Sequence, residues 1–406
     1  MMTNSLLMDI DYADLAWAGD GSREQLRMLW DRLAECGFAG AIQDCFFNGQ
    51  ALYQSSRFSW FSNPQRGPYP LLVRRLREFD PLAESIRLAQ ERGLECYPYV
   101  RLVDEAFSSP CHADELFVRN PRLWYQTRCG GYSLTGVPCF AYPEVRNLFL
   151  RRCEDLAELG AKGFFFGASR SHSGLFTPYI GHEGWDIWGF NPPITDEYQN
   201  RYGVDLRRVE SVRRGTSDEP RLRGYRLLEY EGTQPVDESR FRAILGEGVD
   251  LFLRCIRARF PDFRILIELT TTAISPGSNF PHNLFTLDLK QLVRDGIIDE
   301  WYVPGNWKSP QEQRLEDLRL LHPFLHESTA RLGAWINDIF ILDGGVGSHA
   351  SVEDVEAYLR RLAECPLDRA IVHEALFLLN HPQSATIWSM FKRFVPNPKD
   401  TIHARA

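Results

Sequence analysis

Several acidic residues lie inside or at the end of strongly apolar runs, where a carboxylate is costly unless it is paired or used. Glu268 interrupts Ile265-Leu266-Ile267-Glu268-Leu269-Thr270, Asp338 follows Trp335-Ile336-Asn337, and Glu374 follows His373 at the end of another apolar stretch. Asp44, Asp9 and Asp11 have the same placement nearer the start of the chain. Carboxyl groups in pairs perform one reaction especially well, the hydrolysis of a glycosidic bond held between them. That reaction needs a separation of about 5–5.5 Å for retention and about 6.5–9.5 Å for inversion. The alternative for each acid is a structural salt bridge, for which Arg101 is a candidate partner.

A second group of residues could bind what the acids cut. The run Gly163-Phe164-Phe165-Phe166-Gly167-Ala168-Ser169-Arg170-Ser171-His172 passes abruptly from buried aromatics to a cation and an imidazole, so Arg170 and His172 are expected at a site. Trp301-Tyr302-Val303-Pro304-Gly305-Asn306-Trp307 ends in an amide and an indole, with Trp307 a candidate to stack on a sugar face. Trp188, Asn337, His373, Asp44 and Arg101 complete the binding candidates. For the aromatic residues, packing that pins long loops is the competing explanation.

The elements that must position these groups alternate a helix-period segment with a short apolar strand, and several times a glycine ends the helix just before the strand. Ser22–Cys36 stops at Gly37 before Phe38–Cys45, and Asp80-Pro81 opens a helix that stops at Gly93 before Leu94–Leu102. A helix from Pro143 closes at Gly160 before Ala161–Ser169, and Phe241–Phe260 precedes Phe263–Thr270. Leu289–Asp295 ends at Gly296 before Ile298–Val303, and a helix from Ser309 carrying Leu315, Leu318 and Leu321 precedes Arg331–Ile339. Ser351 and Asp354 cap the helix before Arg369–Leu379, and Ala385–Phe394 is the last helix.

With Leu6–Tyr12 as the first strand, the count is eight, which predicts an α/β fold of the (β/α)8 TIM-barrel class, a single domain over residues 1–406. An open doubly wound sheet shows similar alternation, but no Gly-rich dinucleotide loop follows the first strand. Three strand-to-helix connections are long, about Phe46–Phe79, Val103–Ala141 and the insertion over 171–236. In a barrel such loops build the active face.

The stretch from Gly163 through Trp188-Gly189-Phe190-Asn191-Pro192-Pro193-Ile194 and Glu197-Tyr198-Gln199-Asn200-Arg201-Tyr202-Gly203-Val204-Asp205-Leu206 resembles family-10-like glycosyl hydrolases. That resemblance covers most of the barrel and implies a glycosidase acting on an oligo- or polysaccharide. The fourth strand is also distantly similar to the alpha-amylase superfamily, in which it ends in a nucleophilic Asp. The matching position here is Gly167, and Glu268 matches the amylase-like proton donor on the fifth strand. Glu268, Asp338, Glu374 and the Gly167 position are therefore the expected catalytic set. Because glycine cannot attack an anomeric carbon, either the nucleophile comes from another strand, the chain is a carbohydrate-binding relic, or the position has been altered. Gly167 is expected to leave a volume open to water or ligand, so that an Asp restored there would create or raise hydrolysis.

Composition narrows the alternatives. Hydrophobic residues make up 44% of the chain and the net charge is -8, with no basic stripe for nucleic acid. No apolar run reaches membrane-span length, the start lacks a signal-peptide pattern, and the nine scattered cysteines read as reduced core residues, so a cytoplasmic protein is expected. The histidines lack metal-site spacing, and no P-loop, nucleophile elbow or nicotinamide fingerprint is present, so no cofactor or metal is expected. The expected partner is a carbohydrate substrate, with homo-oligomers permitted. A non-catalytic carbohydrate-binding barrel and another barrel enzyme, a metal-dependent hydrolase or sugar isomerase, are the competing functions.

Overall fold

The structure, a computed structural model, describes residues 5–47, 49–60, 70–103, 105, 114–131, 133–168, 188–208, 210–216, 226–231, 236–268, 285–303, 315, 318–319, 322, 325, 330–336, 340–343, 346–365 and 367–394. The strands β1 (Ser5–Ile10), β2 (Gly40–Asp44), β3 (Glu95–Arg101), β4 (Gly163–Gly167), β5 (Arg264–Glu268), β6 (Glu300–Val303), β7 (Arg331–Ile336) and β8 (Arg369–Val372) form one closed sheet. Each pairs in parallel with its neighbours in chain order, and β8 returns to β1. This is a (β/α)8 barrel.

The helices are α1 (Tyr12–Ala18), α2 (Arg23–Glu35), α3 (Pro70–Glu78), α4 (Pro81–Glu91), α5 (Glu115–Arg119), α6 (Pro143–Glu158), α7 (Pro192–Tyr202), α8 (Glu238–Arg259), α9 (Leu289–Arg294), α10 (Val352–Ala363), α11 (Ala375–Asn380) and α12 (Ser384–Phe394). Their starts follow from capping chemistry. The Ser22 hydroxyl accepts from the Gln25 N–H at 3.1 Å, and the Gln25 amide oxygen accepts in return from the Gly21 N–H at 2.7 Å. Asp80 accepts from Leu82 and Ala83 with Pro81 in the first turn of α4, and Ser351 accepts from Asp354 at the start of α10. Among the described residues no helix is long and apolar enough to cross a membrane.

A period of two along each strand divides the barrel into chemically distinct levels. Leu7, Ile42, Tyr97, Tyr99, Phe165, Leu266, Tyr302, Trp335 and Ile371 form an apolar cluster separate from the strand–helix layer. Two residues earlier, the same parity brings charged groups together at the strand starts. There Arg369 contacts Glu95 at 2.6 Å and Glu300 at 3.5 Å, Arg264 pairs with Glu300, and the Tyr302 hydroxyl donates to Glu300 at 2.6 Å. Two residues later, it delivers Asp9, Asp44, Arg101, Glu268 and His373 to the strand exits.

The tyrosine rings in this interior need space that neighbouring strands supply with glycine. A Cβ on Gly163 would lie 2.8 Å from the Tyr97 ring, and one on Gly333 2.3 Å from the Tyr302 ring.

Two expected boundaries are corrected. The first strand stops at Ile10 rather than Tyr12, because Asp11 turns the chain into α1 by accepting from the N–H groups of Ala13 and Asp14. The eighth stops at Val372 rather than Leu379. Its register with Ile336 and Met8 ends there, and α11 begins at Ala375. Of the expected helix after β6, Leu315 and Leu318 are helical and buried, while Leu321 lies outside the described residues.

The long connections carry structure of their own. Trp124–Gln126 pairs with Ser133–Pro138, and Ser211–Thr216 with Arg226–Glu231. Asn191 ties the first hairpin to α7: its amide nitrogen donates to the carbonyl of Trp124 at 2.7 Å and its oxygen accepts from the Gln126 N–H at 3.2 Å. Beneath the connection after β2, the buried Arg152 on α6 donates to both oxygens of Glu105 at 2.6 Å and lies 4.4 Å from the centre of the Phe46 ring.

Candidate active site

The register places the exits of β3, β4 and β5 level with one another, since Arg101 pairs with Gly167 and Gly167 with Glu268. Glu268 is buried and accepts from the Tyr99 hydroxyl at 3.2 Å. Tyr99 is wedged in place by Phe165, edge-on at 5.0 Å between ring centres, and by Trp335 at 6.2 Å. The Arg101 guanidinium sits 5.2 Å from the Tyr99 ring centre.

Across the mouth, Trp335 stands 5.7 Å from His373. His373 Nδ1 lies 2.5 Å from Asp9 Oδ2, and its Nε2 lies 3.7 Å from Glu374 Oε2. The His373–Glu374 peptide is cis. Glu268, Tyr99, Trp335, His373, Asp9 and Glu374 thus form one contiguous layer from β5 across the barrel to β1 and β8.

The third side of the mouth is ionic. Arg101 grips Asp44 through two parallel contacts, Nε to Oδ1 at 3.1 Å and Nη2 to Oδ2 at 2.5 Å, and reaches Asp11 at 3.7 Å. Asp11, Asp14 and Glu374 crowd the same space. Burial, followed by repulsion from Asp11, Asp14, Asp9 and Asp44, pushes the Glu374 carboxyl well above the usual range. Asp14 is pushed up to about 7 by burial and by Asp11, with Arg101 opposing and Asp9 adding to the rise. Burial also raises Asp44, against the pull of Arg101.

Glu374 Oε1 and Asp9 Oδ1 are buried and have no hydrogen-bond partner among the described residues. Burial and the surrounding carboxylates thus favour the protonated form of Glu374, whose Oε1 has no hydrogen-bond partner among the described residues. Such a group can donate a proton to a leaving oxygen. Among the described residues, no group of three or more His, Cys, Asp and Glu side chains has the arrangement to hold a metal ion.

The structure therefore gathers Glu268, Glu374, Asp44, Arg101, His373 and Asp9 into one mouth. Asp338, Asn337, Trp307, Arg170 and His172 lie outside the described residues. Trp188 is half-buried, packs against the main core and is bridged to Thr127 in the connection after β3. The expectation for Gly167 is corrected: the space beside it is occupied. A Cβ there would fall 2.6 Å from both Cε2 and the hydroxyl of Tyr99, the residue that orients Glu268. Glycine at this position is what allows that tyrosine to pack.

Tyr99 and Asp14 are the site residues that sequence reasoning missed. Tyr99 stands two positions before Arg101, so the strand's own alternation carries the signal. Asp14 follows the strand and depends on the turn made by α1, which no strand periodicity reports.

No family model matches the chain, and no curated protein matches it. Solved structures do share its architecture. The glycoside hydrolase domain of PgaB (BpsB) from Bordetella bronchiseptica is similar over 96% of this chain and 98% of that one, with 14% identity and a TM-score of 0.54. The catalytic domain of beta-amylase from Paenibacillus polymyxa is similar over 97% and 99%, with 10% identity and a TM-score of 0.56. A beta-galactosidase from Marinomonas ef1 is similar over 91% of this chain and 54% of that one, with 11% identity and a TM-score of 0.53. At these identities the likeness is one of fold: the chain has the barrel architecture found in glycoside hydrolases.

Proposed function

We propose that this protein is a glycoside hydrolase that cleaves an oligo- or polysaccharide with carboxyl groups at the C-terminal ends of its barrel strands. The observation that carries this reading is the buried Glu374, whose pKa is raised by burial and by the carboxylates around it and whose Oε1 has no hydrogen-bond partner among the described residues. Glu374 protonates the glycosidic oxygen as the bond breaks. Glu268, oriented by the Tyr99 hydroxyl, is the carboxylate that addresses the sugar carbon or its attacking water. His373, held by Asp9, lies between Asp9 and Glu374 and relays a proton taken up from water back to the acid after turnover. Arg101 and Asp44 bind sugar hydroxyls as a fixed pair. The shared architecture with hydrolases and the likeness to the family-10-like group support the same reading.

A carbohydrate-binding barrel without turnover is the second reading, favoured by the absence of a carboxyl at Gly167. Release of reducing ends from a panel of glycans separates the two. Hydrolysis by the parent that falls at least about 100-fold in both Glu374→Gln and Glu268→Gln, with unchanged melting, supports the proposal. Full activity in both variants overturns it.

A further inference from the structure

Trp17 stands apart from the other large apolar side chains of this region. It is 58% exposed, whereas Tyr12, Ala13, Leu15 and Ala16 of the same helix are buried. Helix α1 leaves the C-terminal end of β1 through its Asp11 cap, so it rises directly from the candidate site. Trp17 is three residues after Asp14, and residues so spaced are neighbours on one helix face. Asp14 belongs to the mouth electrostatically, through Asp11, Arg101 and Asp9. One face of α1 therefore runs from a site carboxyl to an open indole.

We propose that Asp14 and Trp17 form an outlying sugar subsite, in which a pyranose ring of an oligosaccharide stacks on the Trp17 indole and a hydroxyl of that ring donates to Asp14. An indole offers a flat apolar face to the C–H groups of a sugar, and a carboxylate oxygen beside it accepts from hydroxyls at the ring edge. The subsite takes a ring beyond the one being cut, so it favours longer chains over short ones. This inference rests on the carbohydrate reading of the site. A second copy of the chain is the other occupant such an indole can take.

The test uses the full chain carrying Glu374→Gln, so that ligands are bound without turnover, with and without Trp17→Ala. The probes are soluble linear oligosaccharides of increasing length, in β-linked glucose, α-linked glucose, galactose and N-acetylglucosamine series. The expected result is a loss of affinity on the order of five-fold for the longer members of the series that binds, since stacking has that worth. The shortest binding member is unaffected, and Trp17→Phe retains most of the affinity. Melting is unchanged, because the exposed indole contributes little to the core. Equal affinity with and without Trp17→Ala overturns the subsite while leaving the site itself standing. A change in sedimentation with no change in sugar affinity also overturns it, in favour of a self-association surface. If no series binds and the parent cleaves none of them, both the subsite and the carbohydrate reading fall.

Discussion

Placing a side chain at Gly167 should destabilise the protein and misplace Glu268 rather than create a nucleophile. The Cβ of Gly167→Ala would sit 2.6 Å from Cε2 and the hydroxyl of Tyr99 and 3.0 Å from its Cζ, about an ångström closer than an ordinary contact. Tyr99 has little room to yield, being 4% exposed and held by Phe165, Trp335 and the bond to Glu268. Overpacking of this kind costs about 1–3 kcal/mol. For 406 residues the unfolding entropy is about 0.85 kcal/mol/K, so the midpoint should drop by about 1–4 °C. Gly167→Asp should fall further, because it adds a buried charge. The assay is a pair of melts forming a double-mutant cycle: Gly167→Ala in the parent, and Gly167→Ala in a Tyr99→Ala background, where the space is vacated. The second should be close to neutral. Equal melting of Gly167→Ala and the parent, or equal losses in both backgrounds, would refute the packing argument. Appearance of strong hydrolysis in Gly167→Asp would refute the placement of the chemistry on β5 and β8.

Other perturbations have directions that follow from the same geometry. If Glu374 donates the proton, kcat/KM should decline on the alkaline side as pH passes its raised pKa, and Glu374→Gln should lack that limb; an unchanged pH–rate profile counts against the role. Asp14 binds its proton more tightly folded, at about 7, than unfolded, so its contribution to stability is lost as pH rises from about 4 to 7. Asp14→Asn should remove that decline, which midpoints measured across this window will show. Arg152→Ala strands the buried Glu105 and should cost about 3–5 kcal/mol by denaturant unfolding, with Arg152→Ala/Glu105→Gln recovering part of the loss.

Much of this architecture is legible in the chain itself, because its signals are local. The strand–helix units are marked by glycine after four helix periods (Gly37, Gly93, Gly160 and Gly296), side-chain caps at Ser22, Asp80 and Ser351, and short apolar runs, all set by backbone sterics and water avoidance within a dozen residues. Eight such units predict closure, and β1 meets β8 as that count requires. Glu268 and Glu374 are visible for the same reason, since an acid in or beside an apolar strand is conspicuous at any distance from its partner.

What tertiary structure decided is every relation between strands. The level of Arg101 with Gly167 and Glu268 is a register, fixed by hydrogen bonds between segments far apart in sequence. The meaning of Gly167 depended on Tyr99, on the neighbouring strand, whose ring occupies the place a motif reserves for a carboxyl. The upward shift of Glu374 likewise arises from burial and then from Asp11, Asp14, Asp9 and Asp44, none within 300 residues of it along the chain and all brought near by closure of the barrel. Strand periodicity tells which way a side chain points, but the energy of a charge is set by what surrounds it, and that is known only once the ring is closed.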